Sequence, residues 1–166
     1  MRKFLLVSLV LASMIFTGYE PVYYEYTPVF MSRSDMETAV KFDAPQPLRQ
    51  TGKIYILDQY IFINEKYKGY HVFDNSNPAS PVNMGFIRID GCLDMAIKGS
   101  VMYADNAVDL VAIQLNLINK TATVHGRVRN ALPEPSSPQG FWQTRAFEKY
   151  RPKNGIIVRW EPNNGK

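Results

Sequence analysis

Two stretches of alternating apolar residues, spaced 40 positions apart, constrain this chain more than any other feature of its sequence. YIFINEKYKGYHVFD and SVMYADNAVDLVAIQ occupy equivalent places. At that offset Ile56-Leu57 fall on Ala96-Ile97, and Ile61-Phe62-Ile63 fall on Val101-Met102-Tyr103. Gly69 to Phe73 likewise fall on Asp109 to Ile113. The first unit reads as KIYILDQYIFINE, two strands rich in Ile, Tyr and Phe around a turn near Asp58-Gln59. YHVFDNSNPASPVNMGFIRI then gives a strand, a turn and another strand. Asn and Asp side chains cap their own backbone in such a turn, and Pro81 resists helix formation. A repeat of this length with about four short strands per unit is the signature of a β-propeller blade. The expected fold is therefore all-β, with two propeller-like repeats over residues 51–130, an incomplete propeller.

The rest of the chain is organised around these units. Residues 1–18 read as a signal peptide: Arg2 and Lys3 form a positive start, and Leu5 to Phe16 an apolar run. That run is shorter than the roughly 20 apolar residues needed to cross a bilayer. Membrane association is expected through this signal only, as a helix preceding the mature domain. Phe16-Thr17-Gly18 approach a lipoprotein cleavage site, but Tyr19 stands where the acylated cysteine is required, so a lipid anchor is not expected. Residues 19–50 are rich in Tyr and Pro and read as an extended linker. It holds one short helix in SRSDMETAVKF, with Ser32 or Ser34 as N-cap and Asp35 and Glu37 in the first turn. Residues 131–166 read as a Pro/Ser loop and a terminal strand, Ile156 to Trp160, after the turn Lys153-Asn154-Gly155. The basic residues of that segment, among them Arg145, Lys149, Arg151, Lys153 and Arg159, are expected on a solvated surface, with anion binding the minority reading.

Composition narrows the function classes. A net charge of +4 without a long Lys/Arg run argues against nucleic acid as a partner. The single cysteine, Cys92, excludes an internal disulfide and a Cys-based zinc site, and two histidines, His71 and His125, do not make a metal centre. No nucleophile elbow, phosphate loop, zincin helix or C-x-x-C pattern occurs, so neither catalytic residues nor a cofactor are expected. Cys92, in IDGCLDMA, reads as a buried inert thiol. His71 reads as a surface or capped strand residue, and His125 has no Ser or Cys partner nearby in sequence. Asp74, Asp94, Asp105 and Asp109 invite a metal reading, but their recurrence at strand ends favours capping of backbone N–H groups. Asp74, Asn77, Pro78, Asp105 and Asp109 are thus structural turn residues in this reading.

KGYHVFDNSNPASPVNMGFI resembles the core of the LVIVD-repeat proteins, a family of bacterial envelope β-propellers often found as lipoproteins. Gly69, Asp74, Ser76, Asn77, Pro78 and Pro81 carry the likeness. In the second unit Asp94, Gly99, Tyr103, Ala104, Asp105, Asp109 and Leu110 carry it. The resemblance implies an exported, non-enzymatic envelope protein (periplasmic or at the outer-membrane surface) that binds or scaffolds an unknown protein or glycan. The Tyr cluster Tyr19, Tyr23, Tyr24 and Tyr26 is a candidate sticky patch.

Complete propellers have about 4 to 8 blades. Two blades alone leave broad apolar faces and open edges wet. Three outcomes are open: a truncated copy of a longer gene, self-association through the exposed blade faces, or a small irregular β-sandwich. The alternative functions are a fragment of a larger propeller enzyme and an inactive truncated product.

Overall fold

The computed structural model describes residues 24–163, half of them in strands and 11% helical, with three antiparallel sheets, none closed. The fold is all-β. The expected signal peptide and Tyr19 lie outside the described residues.

Eight strands form two meanders. In the first, β3 (Thr51–Leu57), β4 (Tyr60–Glu65), β5 (Gly69–Asp74) and β6 (Val82–Arg88) lie side by side in chain order. In the second, β7 (Met95–Lys98), β8 (Val101–Asn106), β9 (Asp109–Asn116) and β10 (Thr121–Val128) do the same. The spacing near 40 residues reappears in the backbone of the turns. Asp58 and Gly99 open the first turn of each meander with φ of 51° and 60°. Tyr67 and Ala107 occupy the second with φ of 63° and 54°. Left-handed backbone costs Asp58, Tyr67 and Ala107 free energy that it does not cost Gly99, and it recurs because tight hairpin turns call for it.

Alternation sorts the side chains. Across the first sheet Tyr55, Phe62 and Val72 share an inward row, and across the second Ile97, Met102, Ile113 and Val124 do. These rows meet in one core, where Phe62, Tyr70, Val72, Met102, Val111 and Ile113 are fully buried. Burying each such side chain is worth about 1.5–3 kcal/mol. The outward rows of the first sheet are also apolar: Ile54 pairs with Ile63, and Ile56 with Ile61, which in turn pairs with Phe73. There Ile54 and Ile56, on the edge strand β3, remain 63% and 73% exposed.

Within the stretch expected as a linker the short helix forms, but two strands that were not expected flank it. Strand β1 (Tyr26–Ser32) pairs antiparallel with β11 (Gly155–Pro162), Tyr26 opposite Pro162 and Ser32 opposite Gly155. Helix α1 (Arg33–Thr38) follows, with the Ser32 hydroxyl accepting from the Asp35 amide at 3.1 Å. Strand β2 (Lys41–Asp43) then adds to the free edge of β6. The reason is burial: Met36, Ile156 and Val158 with Val29 and Met31 form a second core over Ala107 and Val108. Residues 131–166 also hold more than a loop and a strand. Helix α2 (Phe141–Phe147) and a short 3-10 turn precede β11. Gln143, fully buried, ties α2 to the ribbon by donating to the Tyr26 carbonyl at 2.7 Å.

Candidate binding cleft

The five expected turn residues do three different things. Asp74 caps its own loop, accepting from the Ser76 amide at 2.8 Å and from the Ser76 hydroxyl at 2.5 Å. Asn77 accepts from the Ala79 amide at 3.2 Å, and Pro78 sits exposed beside it. Asp105 reaches across instead of back. Its carboxylate accepts from the amides of Leu93 and Asp94 at 2.9 to 3.0 Å, fixing the entry to β7. Asp109 is fully buried and accepts from the Asn130 amide at 2.9 Å. Its main partners are two guanidinium groups, Arg33 at 2.9 Å and Arg127 at 2.8 Å. Burial pushes its carboxyl pKa up, but the Asn130 amide, Arg127 and Arg33 outweigh this and hold it below the usual carboxylate range.

The fourth acidic residue of the sequence reading, Asp94, accepts from Lys53 and from the Tyr55 hydroxyl, and so bridges the two meanders. No group of three or more metal-ligating side chains occurs among the described residues. His125 is exposed on β10.

Cys92 is fully buried, its thiol 3.1 Å from the Asp105 carboxylate. Burial and that negative charge push the thiol pKa well above its ordinary value. The thiolate is the reactive form. Native protein is therefore expected to resist iodoacetamide at neutral pH and to label fully once unfolded in guanidinium, which mass spectrometry reads directly.

Of the two positions expected for His71, surface or capped, the structure has the capped one. It is fully buried, its Nε2 3.2 Å from Glu65, with the Phe86 ring against its own. The Glu65 carboxylate also accepts from the amides of Arg49 and Gln50 at 3.0 and 2.7 Å. Burial acts to raise the Glu65 pKa, yet the Gln50 and Arg49 amides and His71 bring it below its ordinary value. The segment entering β3 is thereby clamped over the outer face of the first sheet.

That clamp builds one wall of a cleft of about 420 Å³ lined by Arg49, Gln50, the turn Lys66-Tyr67-Lys68 and residues 159–162 of β11. A second depression of about 240 Å³ shares Lys68 and Arg159 with it and adds Gln46, Phe86, Arg88 and Asp90. The turn is held on every side. The Lys66 amide donates to the Gln50 carbonyl, that of Tyr67 to Cys92 and that of Lys68 to Glu65. The Tyr67 and Lys68 carbonyls accept from Gly91 and Ile89. Asp90 lies beneath, its pKa raised by burial while Arg159, Arg88 and Lys68 pull the other way.

The equivalent turn of the second meander has a different fate. Ala107 and Val108 are buried under the β1–β11 ribbon. The first meander's Lys-Tyr-Lys turn instead faces the cleft, and so does the last stretch of β11. Of the basic C-terminal residues, Arg159 enters the cleft. Arg151 is occupied elsewhere, pairing with Glu134 at 2.8 Å and Glu148 at 2.6 Å. Arg49, Lys66 and Lys68 had no motif or spacing to single them out.

Comparison with known proteins finds no match among family models, curated proteins or solved structures. Among the described residues, no helix is long and apolar enough to cross a membrane.

Proposed function

We propose that this chain is a non-enzymatic cell-envelope protein of LVIVD-repeat type, its two meanders serving as consecutive blades of a binding or scaffold module. The observation that carries this reading is the four-stranded meander occurring twice, with left-handed turns at equivalent places. The apolar leader at residues 1–18 and the Gly69-to-Pro81 motif support it from the sequence side. The cleft along β11 supplies a rigid concave surface suited to a ligand, because its walls are fixed by backbone hydrogen bonds before anything binds.

Fractionation of a bacterium expressing the full chain with a C-terminal epitope tests this. The protein is expected in the envelope fraction, shortened by removal of the leader. An unprocessed product confined to the cytoplasm overturns the reading.

The outward row Ile54, Ile56, Ile61 and Phe73 has a consequence under this proposal. It is the face a further blade would cover, and its edge strand β3 offers unpaired backbone groups. A second copy of the chain provides both apolar surface and an edge. Sedimentation velocity is therefore expected to show dimers that grow with concentration, and the Ile54→Lys/Ile56→Lys variant is expected to remain monomeric. A wild-type chain that stays monomeric at high concentration removes self-association from the proposal.

A further inference from the structure

We propose that the cleft between the Lys66–Lys68 turn and β11 binds an anionic polysaccharide; this rests on the reading of the chain as a binding module. The two contiguous depressions place five cationic side chains along their walls: Arg49, Lys66, Lys68, Arg88 and Arg159. Two of them are partly neutralised. Arg88 pairs with Asp43 at 2.9 Å, and Arg159 pairs with Glu161 at 2.8 Å and lies 3.9 Å from Asp90. Arg49, Lys66 and Lys68 carry no salt bridge among the described residues. The surface therefore holds an uncompensated positive charge on a platform that needs no rearrangement.

The mixture of groups decides the class of anion. A compact anion such as inorganic phosphate is held by donors converging on one point, whereas these cations are spread along two joined depressions. A nucleic acid presents phosphates in close succession and typically draws on many phosphate contacts. Here Glu161 and Asp90 stand among the cations and would repel some of those phosphates. A polysaccharide with one acidic group every sugar or two tolerates this, since its hydroxyls donate to carboxylates. Gln46 and Gln50 offer further amide partners for hydroxyls. Tyr67, half-buried between the two lysines, presents an apolar ring with a polar tip, the amphipathic surface a sugar face calls for.

The second meander serves as an internal contrast. Where the first has Lys-Tyr-Lys at the cleft, the second has Ala107-Val108 covered by the ribbon. The blade architecture needs a left-handed turn at this place, but it needs neither lysine. Lys66 is exposed and Lys68 half-buried, and neither belongs to a core cluster.

Titration of the purified full chain with polygalacturonate, followed by biolayer interferometry, tests the proposal. Neutral dextran and an oligothymidylate serve as comparison probes. Wild-type protein is expected to bind polygalacturonate, less tightly at raised salt, and to ignore dextran. Lys66→Glu/Lys68→Glu is expected to weaken binding by roughly tenfold or more. Lys66→Arg/Lys68→Arg is expected to preserve it, as is Lys98→Glu/Lys153→Glu, which reverses the same charge at exposed sites elsewhere. Matching circular dichroism and melting curves show that each variant is folded. The proposal is overturned if wild type fails to bind polygalacturonate, if oligothymidylate binds as tightly, or if the distant pair weakens binding equally. Protein that fractionates with the envelope yet ignores polygalacturonate sinks the ligand class alone. Protein that neither reaches the envelope nor binds any probe sinks both readings.

Discussion

Asp109→Ala is expected to destabilise the protein by about 3–5 kcal/mol, enough to unfold a marginal domain at ordinary temperatures. The size follows from what the carboxylate leaves behind. Asp109 is fully buried, and the side chain of Arg127 is 10% exposed, so removing the anion strands a cation that water reaches poorly. The Asn130 amide loses its acceptor as well. Arg33 is 31% exposed and can turn to solvent, so its share is smaller. The loss should therefore be partly recovered by removing the trapped charge. Asp109→Leu/Arg127→Met is expected to melt well above Asp109→Ala, because a buried ion pair and an apolar pair of similar volume are often close in stability. A double variant no better than the single one would show that the ion pair is not what Asp109 contributes.

The same site sets a pH dependence with a definite sign. Its folded pKa is held below the ordinary carboxylate value, so the folded state binds fewer protons than the unfolded chain as acid is added. The stabilisation is complete above the unfolded value, near 3.9, and is lost as pH falls through the folded value. Melting temperature should be flat from neutral pH down to about pH 5 and drop below it. Asp109→Asn should flatten part of that drop.

The second large effect is expected at Gly91. Its φ is +81°, and a Cβ placed there would meet the Ala107 amide nitrogen and Cα, both at 2.6 Å. These are backbone atoms at the turn of the second meander, so no side-chain rotation relieves the clash. Gly91→Ala adds strained backbone to this overlap, and a cost of about 3 kcal/mol or more is expected. The Gly91 amide also donates to the Tyr67 carbonyl at 2.8 Å. The variant should therefore loosen the cleft turn along with the seam between the meanders. Hydrogen exchange of the Tyr67 and Gly91 amides should rise more than that of amides within β9. Gly99→Ala is the contrast, since nothing lies within 4 Å of its Cβ position. It carries only the left-handed backbone penalty and should cost about 1 kcal/mol.

What could be read from the sequence was local. Alternation in YIFINE and VMYADN, with the Asp58-Gln59 and Asp74-to-Pro81 turns, places strands β3 to β6 and β8 close to where they lie. The short helix after Ser32 was readable for the same reason, a capping hydroxyl with acid in the first turn. Helix α2 was not, because it starts at Gly140 without any side-chain cap and opens on Phe141 and Trp142. The β1–β11 ribbon also escaped. Its partners are remote in sequence, and nothing in YTPVFMS alone distinguishes a paired strand from an extended linker. The cleft shares that difficulty: Arg49, Lys66 and Arg159 come from three separate segments. That His71 is capped and not at the surface could not be decided from the sequence, because its covering segment, held by Glu65, carries no signal of its own.

The ribbon also orders events in time. Tyr26 and Pro162 are register partners, so β1 stays without this partner until residues 155–162 have emerged and reached it. Closing a loop of that length costs chain entropy on the order of 4 kcal/mol, with no reward until the late strand arrives. The two meanders, built from neighbouring strands, can form first. One wall of the cleft is part of β11, so the cleft is complete only once the ribbon has closed. Before β11 docks, the cleft lacks the wall formed by residues 159–162, so a ligand of the proposed kind would meet a complete cleft only after the ribbon has closed.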